Sequence, residues 1–364
     1  MKIGIITFWN SQDNYGQQLQ YYALQTYLEK YDCNVFLIKY LPRYSFIRKL
    51  KMFMASIIFF RKKSSVIERG FVEFREKYFH TTNKVYSSWK ELDFDPPIAD
   101  CYICGSDQIW NPVDYPNKNT KPWFLDFGND KIRRVSYAAS FGQSQFSQDI
   151  INFIAPMLAK LNAVSVRETT GIHICKKANR NDAIRVLDPT LLLNVDDYVK
   201  ISDKMDYHKP FILGYFLNIG SEFNSIWKII KDYVESEKKD FKVIPSHQAE
   251  TFIPYEKYFY PTIHQWINAY YKADEIFTTS FHGVVFSLIF HKPFVAFLLK
   301  NKCGKMNDRI FSLLSDLNLE DRIFDVDVAL CKQIKQKIDW LVVDEKMNAL
   351  REHSKIFIEK NIFV

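Results

Sequence analysis

The residues best placed for chemistry lie in the run Thr278-Thr279-Ser280-Phe281-His282-Gly283-Val284. A β-like run ends at Ser280 and an apolar helical run opens near Gly283. His282 therefore falls at a helix N-terminus, where unpartnered backbone N–H groups and the helix dipole attract an anion. Gly283 lets a ligand come close to the backbone. An imidazole beside a bound anion suits proton transfer near neutral pH. The same placement also suits a capping or packed histidine, so position alone leaves both readings open. His291, at the far end of that helix and ahead of Lys292-Pro293, reads as a C-terminal cap.

Three further junctions join a strand-like run to a helical one. In Val164-Ser165-Val166-Arg167-Glu168-Thr169, Arg167 stands at the strand's C-terminal edge. It is ready either to grip a carboxylate or phosphate with two N–H groups or to pair with Glu168 or the other domain. Gly105-Ser106-Asp107-Gln108-Ile109-Trp110-Asn111-Pro112 is a polar cluster around one indole. It suits sugar hydroxyls and a stacked sugar ring, or else Asp107 and Asn111 cap turns. Asn14-Tyr15-Gly16 precedes a helix and can cap it or contact a ligand. Arg309 follows Asn307-Asp308 at another helix start, where the dipole disfavours a cation unless an anion sits close by.

The elements that position these junctions alternate short β-like runs with helical periods, the signature of parallel α/β layers. Strands are expected at Ile3–Phe8, Val35–Tyr40, Cys101–Gly105, Arg134–Phe141, Ala163–Arg167 and Ile184–Leu187, with helices between them. Asp188 to His208 reads as a crossing. A second series runs from Phe211–Leu217 to a helix at Asp308–Leu317, and the tail Val328–Asn361 is expected to be helical. The reading is two Rossmann-like domains, 1–195 and 205–330, with a tail at 331–364. Ligands in such sheets bind beyond the C-terminal strand ends, which places a site in the central cleft.

Composition agrees. A chain of 364 residues with 47% apolar and 25% charged content can bury two cores. No G-x-G, G-x-x-x-x-G-K-[ST], H-E-x-x-H or G-x-S-x-G occurs, which removes the common nucleotide, zinc-protease and esterase motifs. Six Cys at irregular spacing point to reduced, cytoplasmic thiols, with Cys101-x-x-Cys104 as core residues and no metal site. Met1–Phe8 reads as a first strand, not a signal peptide. The longest apolar run, Met52–Phe60, is about half of what a membrane span needs. Cys33–Ile67 holds eight cations and no acid, against a whole-chain charge of +7, so the remainder is close to neutral. Nucleic acid is thus not an expected partner. Cations interleaved with aromatics over 43–63 suit the anionic inner face of a membrane, or a packed helix with cationic ends.

Taken in order along the chain, the junctions resemble the polysaccharide pyruvyltransferase family. The resemblance rests on Asn14-Tyr15-Gly16 with Leu19-Gln20-x-Tyr22-Ala23-Leu24, on Gly105-Ser106-Asp107-Gln108-Ile109-Trp110-Asn111, and on Ala138-Ala139-Ser140-Phe141-Gly142. It continues through Ser165-Val166-Arg167-Glu168, Val186-Leu187-Asp188-Pro189-Thr190, Ser280-Phe281-His282-Gly283 and Lys292-Pro293-Phe294. It implies a GT-B-like fold and a pyruvyltransferase of bacterial surface-polysaccharide biosynthesis. Phosphoenolpyruvate would be the donor, with no other cofactor. The acceptor would be a sugar diol on a lipid-linked or nucleotide-linked saccharide, and the product a pyruvate ketal. By resemblance His282 is the acid/base, Arg167 grips the donor, and Ser280 and Gly283 lie against it. Asn14, Tyr15, Asp107, Gln108, Trp110 and Asn111 face the acceptor. Some family members carry Arg two residues before the His where this chain has Ser280, so a donor cation is expected from Arg309 or Lys305. The alternatives on the same fold are a glycosyltransferase using a nucleotide sugar and a non-catalytic carbohydrate-binding protein.

Overall fold

The computed structural model describes residues 1–42, 68–111, 116–246, 253, 255, 258–300, 304 and 306–363. The basic segment 43–63 and Lys305 lie outside the described residues.

Two parallel sheets carry the fold. The first contains β1 (Lys2–Ile6), β2 (Asn34–Leu37), β3 (Cys101–Cys104), β4 (Arg133–Ala139), β5 (Ala163–Val166) and β6 (Ile184–Arg185), in the order β2-β1-β3-β4-β5-β6. The second contains β7 (Phe211–Phe216), β8 (Asp240–Pro245), β9 (Glu275–Thr278) and β10 (Phe294–Ala296), in the order β10-β9-β7-β8. The central strands read as continuous apolar runs, such as CYIC and FILGYF, because both faces of a parallel sheet are covered.

Each order reverses direction once: between β1 and β3 in the first sheet, and between β7 and β9 in the second. At such switch points the neighbouring loops part and leave a crevice beyond the strand ends. Both crevices are cross-tied. Thr7 Oγ1 donates to the Ser106 carbonyl at 2.7 Å, and Leu217 N donates to Thr279 Oγ1 at 2.7 Å.

The helices that bear on the site are α1 (Tyr15–Glu29), α2 (Thr169–Lys177), α3 (Phe281–Ile289), α4 (Asp308–Asp316) and α5 (Trp340–Asn361). Asn14 caps α1 by accepting from Gln17 N at 3.1 Å. His291 takes the left-handed conformation (φ 51°) just past α3, consistent with a C-terminal cap, and stacks on Trp340.

The lobes are not separated by open solvent. One apolar cluster runs from Ile3 and Leu19 of the first lobe to Tyr215, Trp266 and Phe286 of the second. Tyr15 is its rivet: the ring stacks on Trp266 at 5.3 Å, and the hydroxyl donates to the Pro261 carbonyl at 2.6 Å. Helix α5 returns to the first lobe, where Ser354 Oγ accepts from Leu187 N at 3.0 Å and Arg351 Nε donates to the Leu191 carbonyl at 2.7 Å.

The tail is two helices, Leu330–Lys335 and α5, broken at Gln336–Asp339. A boundary at 331 cuts the first of these, whose Leu330 and Ile334 belong to the second lobe's core. Within the supposed crossing, Val195–Val199 is helical, held by a capping box between Asn194 and Asp197. Cys101 and Cys104 are buried thiols, the first pushed up to about 12 by burial. No helix among the described residues is long and apolar enough to cross a membrane.

Candidate functional site

The two switch points face each other across the seam between the lobes and enclose a cavity of about 50 Å³. Asn14, Asp107 and Gln108 line it from the first lobe; Asn218, Ser280, His282 and Arg309 line it from the second. Room of that size holds a few water molecules.

His282 is the second residue of α3, and only 6% of it is exposed. Its ring leans out of its own lobe onto the backbone of α1. A β-carbon added to Gly16 would stand 2.0 Å from Nδ1 and 2.2 Å from Cγ, so only glycine admits the imidazole there. Nε2 lies 3.7 Å from Asp188 Oδ2, within ion-pair range but longer than a hydrogen bond. Nε2 has no hydrogen-bond partner among the described residues. Ser280 precedes the helix, and its hydroxyl makes no capping bond, so the first N–H groups of α3 keep their capacity to hold an anion.

Asp188 ties the site together. Oδ2 accepts from Arg167 Nη1 at 2.6 Å and from Ser106 Oγ at 2.8 Å, while Oδ1 accepts from Thr190 N and Oγ1 at 3.0 and 2.6 Å. Burial on its own would raise this carboxyl. The charges of His282 and Arg167, with the hydrogen bonds from Thr190, outweigh it and hold the group well below the usual carboxylate range. Asp188 is thus a fixed anion shared by a guanidinium and an imidazole from different lobes. The residue-by-residue reading missed it because Asp-Pro-Thr after a short strand has the look of turn punctuation. Its own Thr190 contacts are of that kind.

Two buried arginines flank the ring of Phe281, with guanidinium carbons 4.7 Å (Arg167) and 5.7 Å (Arg309) from its centroid. Among the described residues Arg167 Nε and Nη2 have no hydrogen-bond partner. Arg309, in the first turn of α4, has no carboxylate within ion-pair range among the described residues. With its amide turned oxygen-first, Gln108 accepts from Arg309 Nη2 at 2.9 Å and Nη1 at 3.2 Å. Burial and the like charge of Arg167 push the Arg309 guanidinium down to about 10. It is still protonated at neutral pH, but short of counter-charge. Glu168 is one of three carboxylates, with Asp107 and Asp188, whose charge acts on Arg309. Burial pushes its carboxyl up, against the pull of Arg167 and Arg309, and Oε1 accepts from Ser140 Oγ and Phe141 N at 3.0 and 2.9 Å.

The structure brings together Asn14, Asp107, Gln108, Ser280, His282 and Arg309. Asp107 takes a left-handed backbone (φ 85°) that aims the loop after β3 into the seam. Arg167 does not line that cavity; it lines a second one of about 310 Å³, which Phe281 and Arg309 also line. Four expectations are corrected. Tyr15 is fully buried as an interlobe packing residue. Trp110 is fully buried, its indole stacked on Phe124 at 5.0 Å and donating to the Trp123 carbonyl at 2.8 Å, so no sugar can lie on it. Asn111 falls outside the cavity wall, and its Oδ1 accepts from Gln143 at 3.2 Å. Gly283 faces Thr278, whose Oγ1 would stand 2.1 Å from an added β-carbon, so its missing side chain serves helix–strand packing. Among the described residues no cluster of His, Cys, Asp and Glu could hold a metal ion.

Comparisons with known proteins agree with the fold. The chain is similar to the UDP-GlcNAc 2-epimerase from Neisseria meningitidis bound to UDP-GlcNAc (12% identity, 99% of each chain, TM-score 0.52). It is also similar to a UDP-N-acetylglucosamine 2-epimerase described as such from Listeria monocytogenes (10% identity, 96% of this chain and 90% of that one, TM-score 0.52). A third is an alpha-glucosyltransferase in complex with UDP (9% identity, 97% and 95% covered, TM-score 0.50). At such identities the likeness shows the fold alone, and that fold is GT-B. No curated protein matches the chain at a significant level. The model of one family, polysaccharide pyruvyl transferase, matches residues 14–301, most of the chain and every junction described above except Arg309, and the chain belongs to that family.

Proposed function

We propose that this protein transfers the enolpyruvyl group of phosphoenolpyruvate to a sugar diol, forming a pyruvate ketal, with His282 as the acid/base. The observation that carries this reading is the seating of His282. Its ring emerges at the seam on Gly16, Nε2 makes no hydrogen bond among the described residues, Asp188 stands 3.7 Å from it, and Arg309 lines the same cavity.

The chemistry follows from the donor's charges. A carboxylate and a phosphate must be neutralised while the vinyl carbons stay open to attack. Arg309, buried and without an ion-pair partner among the described residues, suits that task from within the His282 cavity, and the N-terminus of α3 adds backbone donors. His282, protonated, gives its proton to C3, and positive charge develops at C2. A sugar hydroxyl attacks C2 and returns its proton to His282. The C2–O bond to phosphate then breaks, the second hydroxyl closes the ring on C2, and its proton leaves with phosphate. One proton enters carbon, and no water or redox partner is consumed. Asp188, which stays ionised, stands 3.7 Å from Nε2 and supplies a counter-charge at the first step. Asn14, Asp107 and Gln108 stand where the diol would approach, on the first-lobe wall. A cavity of about 50 Å³ is too small for the donor, so binding requires the lobes to part or Phe281 to swing aside.

The experiment is to incubate the protein with phosphoenolpyruvate and a panel of saccharide acceptors, following phosphate release and the ketal methyl signal. Acceptor-dependent release with a new methyl singlet is the expected result. Turnover of a nucleotide sugar in place of phosphoenolpyruvate would move the protein to the glycosyltransferases. Saccharide binding without any turnover would make it a binding protein.

A further inference from the structure

The second cavity, about 310 Å³, opens beside the first and shares Phe281 and Arg309 with it. Its floor is the end of β6, and its walls are α4 and α5. Arg185 is neutralised there by both oxygens of Asp316 at 2.5 Å. Arg167 is not fully satisfied. One nitrogen serves Asp188, while Nε and Nη2, on a side chain only 2% exposed, have no hydrogen-bond partner among the described residues. A buried guanidinium N–H without an acceptor is costly, and a bound anion would relieve it. With the Arg185–Asp316 pair cancelling, the cavity wall is left with two guanidiniums, Arg167 and Arg309, against one carboxylate, Asp188. The rest of the lining is largely apolar, with Leu187, Leu313, Leu350 and Phe281.

We propose that this larger cavity binds the acceptor through an anionic group, so that the acceptor class is a saccharide bearing a phosphate or carboxylate. The substrates then sit in adjoining compartments divided by Phe281, and Arg309 touches both. The saccharide identity rests on the transfer reading above; the anion requirement rests on Arg167 and the cavity alone. This reassigns Arg167 from gripping the donor to gripping the acceptor.

The test is calorimetric titration of the full chain, free and saturated with phosphoenolpyruvate. The probes are inorganic phosphate, α-D-glucose 1-phosphate, D-glucuronate and, as uncharged control, methyl α-D-glucoside. Leu350→Trp fills the cavity from α5; His353→Trp does so from an exposed position on the same helix and keeps the test open if the first variant fails to fold. The expected result is that a charged sugar binds the donor-saturated protein, and that a filling variant weakens it at least tenfold while changing phosphoenolpyruvate affinity less than twofold. The stronger of the phosphate and carboxylate arms identifies the group. Competition between sugar phosphate and phosphoenolpyruvate for one site would overturn the proposal. Equal binding of the uncharged glucoside, binding of no charged probe, or insensitivity to both filling variants would overturn it as well. If phosphoenolpyruvate fails to bind while a charged sugar binds and responds to filling, the transfer reading fails and this site stands.

Discussion

The imidazole of His282 rests on the bare backbone of Gly16, a contact between lobes in which a single β-carbon would come within 2.0 Å of Nδ1. Helix α1 accepts alanine at that position on its own account, because Gly→Ala favours a helix by about 0.5–1 kcal/mol. The clash therefore falls on the ring and not on α1. Gly16→Ala is expected to keep the fold and lower turnover by about 10²-fold, the scale of a displacement near 1 Å. A folded Gly16→Ala enzyme with the wild-type rate would show that the contact does not set the ring's position.

Asp188 holds Arg167 and faces His282. Asp188→Asn leaves a buried guanidinium without its counter-charge, and a stability loss of about 3–5 kcal/mol is expected. Because the folded carboxyl sits below its unfolded value near 3.9, its contribution is complete above about pH 4 and is lost as pH falls through the folded value. Denaturation at pH 7 and pH 3 checks both parts. The variant should lose less on acidification than the wild type, and equal losses would contradict the account.

Glu168 has the opposite sign. Its folded carboxyl titrates above the unfolded one, so its contribution to stability is complete below about pH 4.3 and is lost as pH rises through the folded value. Glu168→Gln keeps an acceptor for Ser140 and Phe141 and should flatten stability against pH over that window. Parallel curves for variant and wild type in urea titrations would reject a raised Glu168.

How far the site was legible depended on which forces set it. Strand ends, α2 at Thr169–Lys177 and the switch-point loops follow from local patterning, and the order of junctions pointed to the family. His282 could be placed at a helix start from sequence alone. The aromatics misled, because an exposed-looking Trp in a polar loop and a Tyr at a helix start carry no local mark of burial. Trp110 disappears under Phe124, and Tyr15 under Trp266. Asp188 and Gly16 were present in quoted motifs, but their partners lie 94 and more than 200 residues away, respectively, and only tertiary packing joins them.

Trp110 gives a test of that correction. Trp110→Phe removes the bond to the Trp123 carbonyl and is expected to cost about 1–3 kcal/mol of stability. Acceptor KM should stay within twofold. A tenfold rise in KM in a folded variant would restore Trp110 as a sugar platform.

The most direct measurement is phosphate release from phosphoenolpyruvate by His282→Asn beside the wild type, with donor affinity measured on both. Turnover lower by about 10²–10⁴-fold at unchanged donor affinity is the expected result for loss of a proton-transferring imidazole. A folded variant that binds the donor and turns over at the wild-type rate would contradict the account.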